Sequence, residues 1–311
     1  MRVWLSAVVV LLCLASSGAY AQEHLVAKGY SSDQTSHAVE EIVQPRTDRQ
    51  IARWNQMVCP QFVGFPADVE KQFEAHLEDR FARYGIPVKA HCPIPQLFIL
   101  ATVHEDDLID HILERDPYLM QGIDVAPGVI DNFRVSTAFA DNFRLPPADV
   151  RHAIRQDYPV RWFSDVGIEY NGQTGTHLLN GNLPPRFGGG RATALYIGEI
   201  PMTSFLGAIR HEDIKYMAIT VDLSKMEGVS WPSLFEYVSM VALTNPQLKD
   251  YDTSETILGG FVKHRKPQSG DFTMTDLDDA VVREFYTNDR AEDGREETQK
   301  IASDVTASLH P

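Results

Sequence analysis

Cysteine is scarce in this chain, three of 311 residues, and Cys13 falls in the N-terminal apolar run. A dense disulfide scaffold and a cysteine-rich metal domain are thereby excluded. Basic residues are also short: 28 Lys and Arg stand against 43 Asp and Glu, a formal net charge of −15. That balance argues against nucleic acid and anionic membrane as partners, because both need a basic footprint. Beyond the N-terminus no stretch is long and apolar enough for a membrane helix. There is no G-x-S-x-G nucleophile elbow, and the glycine run Gly188-Gly189-Gly190 lacks the Lys-Ser/Thr of a phosphate-binding loop. No cofactor motif is present, and none is expected.

What is present begins with a secretory signal. Arg2, the apolar run Val8 to Leu14 and the small-x-small site Ala19-Tyr20-Ala21 make residues 1–21 a cleavable signal peptide. Cleavage near Ala21 implies a secreted or periplasmic protein. Two cysteines then remain, Cys59 and Cys92. In an oxidising compartment an even pair reads as one disulfide, with two free thiols as the alternative. Residues 22–49 are polar and without periodicity, and read as a flexible leader.

Residues 50–120 predict a β-α-β-α module. Phe62 to Phe65 is a short strand. Val69, Phe73, Leu77, Phe81 and Tyr84 form the stripe of a helix stopped by Gly85 and Pro87. Gln96 to Val103 is a near-continuous apolar strand, and a second helix buries Leu108, Ile109, Ile112 and Leu113. The two strands are expected to be parallel. Cys59 and Cys92 precede them, so their ends lie at about one strand spacing, within disulfide reach. Such a bridge closes a loop of about thirty-four residues and contributes roughly 3 to 4 kcal/mol.

Residues 121–290 predict a mixed α/β unit, giving an α+β fold overall. Its strands are Val160 to Tyr170, Arg191 to Ile200 and Tyr216 to Leu223, expected in one sheet. Its helices are Trp231 to Leu243, capped by Ser230, and Thr275 to Tyr286. The glycine-rich loop 171–191 between the strands reads as a flexible connection, with a substrate flap as the alternative. Residues 291–311 read as a charged tail or loose helix.

Several segments carry a resemblance: R-W-N-Q-M-V-C-P-Q-F-V-G from Arg53, P-Q-L-F-I-L-A-T-V from Pro95, R-H-E-D-I from Arg210, V-D-L-S-K-M-E-G from Val221 and T-M-T-D-L-D-D-A-V-V-R-E-F-Y from Thr273. From about Arg53 to Tyr286 the chain resembles an uncharacterised family of secreted bacterial proteins. The resemblance implies export and brings no activity with it. The second half, through Thr256-Ile257-Leu258 and Thr275 to Tyr286, also resembles degenerate zinc-metallopeptidase domains. A zinc helix of that kind needs His-Glu-x-x-His, because residues four apart share a face. Here the best register is Phe235-Glu236-Tyr237-Val238-Ser239. Glu236 stands in the base position, while Phe235 and Ser239 replace both imidazoles. The plainer reading is a core helix with an exposed Glu236.

Two other clusters bear chemistry. Asp107 and His111 are four apart on the second helix and could share a metal; His104 lies about 10 Å further along the axis. An acidic first turn on a solvated helix explains them without a metal. His211, Glu212 and Asp213 precede the strand at Tyr216, where His211 or Glu212 could act as a general base beside Arg210. Being consecutive, they point apart. With no complete constellation, the first expectation is an exported protein acting by binding a protein or small molecule of the cell envelope. The second is a hydrolase, zinc-dependent or acid–base, with a site near His211 and Glu236.

Overall fold

The sheet is built outward from its longest strand, β5, Arg210–Asp222. In a computed structural model of the chain, residues 31–43, 50–115, 154–170, 173–175, 210–251, 256–262, 267, 270–289 and 294–309 are described. The chain divides into Met1–Tyr30 and Ser31–Pro311, and every described residue belongs to the second unit. The expected signal peptide and the expected strand at 191–200 lie outside the described residues.

The fold is α+β. Strands β1 (Pro60–Val63), β2 (Leu97–Thr102), β3 (Val160–Tyr170), β4 (Gln173–Gly175) and β5 form a five-stranded sheet in the order β1-β2-β5-β3-β4. β1, β2 and β5 are parallel neighbours. β3 is antiparallel to β5, with its register shifted between Asp165 and Val166, and β4 turns back along β3. β4 is thus an ordered part of the loop expected over 171–191. Because β2 hydrogen-bonds to β5, the strands of 50–120 and of 121–290 share one sheet.

Side-chain alternation divides the sheet into two faces. Phe62, Leu97, Ile99, Ala101, Trp162, Met217, Ile219 and Val221 point to the first face and are buried. Helix α2 (Ala67–Arg83) covers it, with Phe73 5.2 Å from Phe62. Helix α4 (Trp231–Thr244) lies beside α2, and Phe235 stacks on Phe73 at 4.3 Å. The second face carries Phe98, Leu100, Phe163 and Ala218. Helix α3 (Glu105–Arg115) covers it through Ile109 and Ile112, with Ile154 completing the cluster. β2 accordingly alternates buried and half-buried positions, where the sequence suggests near-continuous burial.

The cysteines meet as expected. Cys59 and Cys92 are joined with Cα atoms 6.0 Å apart, beside the parallel bridge between Val58 and Val88.

Two sequence expectations need correction. Residues 22–49 are not simply a flexible leader: helix α1 (Ser32–Ile42) starts at a capping box between Ser31 and Gln34 and buries Thr35, Ala38, Val39 and Ile42. Of the two readings of 291–311, a tail or a loose helix, the helix forms over Gly294–Leu309, and it is packed rather than loose. Helix α6 (Gly294–Leu309) buries Ile301 and Val305 and packs on α1 and on α5 (Asp276–Thr287). Each helix is too weakly apolar to be read alone, and each supplies the surface the other lacks. The N-terminal strand segment is pinned to α6. Arg53 pairs with Glu297, donates to the Asn288 carbonyl at 2.9 Å and sits 4.7 Å over the Phe285 ring, while Glu297 also accepts from the Ile51 amide. Trp54 donates to the Ala242 carbonyl at the end of α4. Asp278 joins α5 to the turn Ile257–Gly260, accepting from Thr256, Ile257 and Thr275.

Candidate functional site

The carboxyl ends of β1, β2 and β5 emerge on one edge of the sheet. The helices that these strands feed do not all take the same side. After β1 the chain enters α2 on the first face, after β2 it enters α3 on the second, and after β5 it enters α4 on the first again. Neighbouring strands whose helices leave to opposite faces open a crevice over their ends, the usual ligand position in open α/β sheets.

Here that divergence lies at the end of β2. Gly64 follows β1. Its φ is +84°, and a Cβ there would stand 2.0 Å from the Ala101 carbonyl oxygen, so only glycine lets this turn rest on β2. Phe65 follows, half-buried and 6.2 Å from Trp231 at the start of α4. Val63 at the end of β1, Val103 after β2 and Trp231 at the start of α4 are 48%, 56% and 37% exposed. His104 and Asp107, at the start of α3, are both well exposed and 4.0 Å apart. The turn Leu223–Lys225 packs against β2 and completes the edge.

Beneath this edge, on the second face, lies a buried ionic cluster. Arg161 on β3 and Glu105 at the start of α3 are each 1% exposed. Arg161 Nε stands 3.3 Å from Glu105 Oε2, and Nη2 donates to Asp106 at 2.5 Å. Thr220 of β5 donates to the other Glu105 oxygen. Arg161 Nη1 and Glu105 Oε2 make no hydrogen bond. Burial pushes the Glu105 carboxyl up to about 7, against the opposing pull of Arg161 and Thr220. Next to it Lys225 bridges Asp157 at 2.7 Å and Asp222 at 2.8 Å. Burial raises the Asp222 carboxyl, but its bonds from Lys225 and Ser224 outweigh this and hold it below the ordinary value. Glu105 is therefore not on a solvated helix face, as the acidic first turn suggests.

The other expected residues are dispersed. Glu236 is buried, not exposed. Arg80 of α2 donates to its Oε1 at 2.5 Å, and His76 Nε2 lies 3.5 Å from the same oxygen. Arg80 also pairs with Asp279, which accepts from Tyr84 at 2.6 Å. This network ties α2, α4 and α5 together. Burial lowers the His76 imidazole despite the pull of Glu236. Phe235 is spent on its stack with Phe73, and Ser239 is fully buried. His211 stands opposite Glu169 toward the amino end of β5, and Glu212 is buried, its amide donating to Gln50 and its carbonyl accepting from Arg53. Glu236 is thus engaged by α2, not joined to the His211–Glu212 pair. Asp107 and His111 are both exposed on α3. No group of three or more His, Cys, Asp or Glu able to hold a metal ion occurs among the described residues.

Arg161 and Thr220 escape sequence reading because each sits inside a strand of apolar residues. The arginine within V-R-W-F is nevertheless a signal: a charge on a covered face calls for a carboxylate from the covering helix. Comparison with family models, curated proteins and solved structures returned no match for this chain.

Proposed function

We propose that this chain is an exported protein that acts by binding a small molecule of the cell envelope, without a catalytic site of its own. The binding site is the crevice over the carboxyl end of β2. The reading is carried by one observation: α3 leaves β2 toward the opposite face from α2 and α4, with Val103 after the end of β2 exposed. Export after cleavage near Ala21 is supported by the Cys59–Cys92 disulfide, which suits an oxidising compartment. Among the described residues no helix is long and apolar enough to cross a membrane.

Ligand-observed NMR with a small-molecule library tests the site. Ligands should bind the wild-type chain and lose affinity when Val103 is changed to Asp. Hits that ignore this substitution, or a hydrolytic activity abolished by changing His211, Glu212 or Glu236, would reject the reading. Amino-terminal sequencing of chain recovered from the cell envelope or medium should start at Gln22; recovery with Met1 retained would reject export.

A further inference from the structure

We infer that the start of α3 is a proton-controlled latch on the second face of the sheet, closed while the Glu105 carboxyl carries its proton and loosened when it ionises. The latch needs no ligand and stands apart from the binding reading. α3 has little else to hold it. Of its described side chains only Glu105 and Ile109 are fully buried, and Ile112 is half-buried. At 11 residues the helix is too short to persist without such contacts. The pair Asp110–Arg155 on its flank is exposed and contributes little. Release of α3 uncovers Phe98, Leu100 and Phe163.

Both protonation states find partners here. The ionised carboxylate accepts from the Thr220 hydroxyl and faces Arg161. The neutral carboxyl can instead donate to that hydroxyl oxygen, and Thr220 can turn its own proton to the Arg161 carbonyl, 3.4 Å away. The surrounding charges favour the neutral arrangement. Arg161, from β3, is shared between Glu105 and Asp106, and Lys225, from the turn after β5, between Asp157 and Asp222. Two cations thus serve four carboxylates, and Glu105 is the most buried of the four. It is therefore the one that takes a proton most readily. His104 and Asp107 beside it on α3 are exposed and face each other. Burial raises the Glu105 carboxyl to about 7, with Asp222 adding to the rise and Arg161, Thr220 and Lys225 opposing it. Released α3 returns that carboxyl to water and to the ordinary 4.5. The latch is accordingly firmest below 4.5 and weakens as pH rises to about 7.

Two measurements on the full wild-type chain test the latch. The Glu105 carboxyl carbon, followed by NMR, should titrate near neutrality, well above the exposed carboxylates. Native-state hydrogen exchange at low urea should show the α3 amides opening apart from those of α2 and α4. Their protection, corrected for intrinsic exchange, should fall by up to about tenfold per pH unit between 4.5 and about 7. Glu105→Gln, which can neither gain nor lose the proton, should keep that protection level across the range. The latch is overturned by a Glu105 carbon that titrates with the exposed carboxylates, or by level α3 protection in the wild-type chain. It is equally overturned if the α3 amides open only together with α2 and α4, or if Glu105→Gln keeps the wild-type slope.

Discussion

Glu105 is where one side chain decides the most. It ties the start of α3 to β3 through Arg161 and to β5 through Thr220. Its folded pKa, about 7, lies above the ordinary 4.5, so the folded chain holds this proton more tightly than the unfolded chain does. The stability it contributes is complete below about 4.5 and is lost as pH rises to about 7, roughly 3 kcal/mol in all. His76 acts in the opposite sense. Its lowered pKa makes its contribution complete above the ordinary histidine value and lost as pH falls. Urea denaturation across this range should show Glu105→Gln removing the falling limb while the rising limb stays. A variant that keeps the wild-type slope up to neutral pH would contradict the assignment. Arg80 offers a second case. With Arg80→Met, Glu236 is left buried without its partner, at a cost of about 3 to 5 kcal/mol. Adding Glu236→Leu should recover most of that, which a double-mutant cycle measures.

Among the elements, the pairing of α1 with α6 joins the two ends of the described chain. Ala38, Val39, Ile42 and Val43 are buried, as are Ile301 and Val305 on the other helix. A chain starting at residue 44 should therefore be less stable than one starting at 31 by at least about 3 kcal/mol. Equal denaturation midpoints would return α1 to the status of a dispensable leader. Arg53 strengthens the expectation, because its pairing with Glu297 fastens the entry to β1 onto α6 as well.

For the molecule as a whole, the shared sheet sets the cooperativity. β2 pairs with β5, and Phe73 stacks on Phe235, so residues 50–115 lack these partners when the module 50–120 is expressed alone. That fragment should give a poorly dispersed NMR spectrum, whereas the full chain should unfold in one transition. Reducing Cys59–Cys92 should lower the midpoint of that single transition by the equivalent of roughly 3 to 4 kcal/mol. A second transition would mean that the disulfide-tied module folds by itself.

Amino-acid order alone determined the local periodicities: the stripe of α2, the apolar strands at Leu97 and Met217, the cap at Ser230, the capped start of α5 at Thr275, and the closeness of Cys59 to Cys92. These rest on spacing and end signals that a short stretch carries in itself. Tertiary structure decided what depends on a partner distant in the chain. Glu236 reads as exposed until Arg80 comes to lie against it, and Glu105 reads as solvated until Arg161 arrives from β3. α1 and α6 look marginal until each covers the other. The divergence at the end of β2 exists only because two helices take one face and a third takes the other. A residue's burial and charge state are set by whatever packs upon it, and that neighbour is chosen by the topology of the whole sheet.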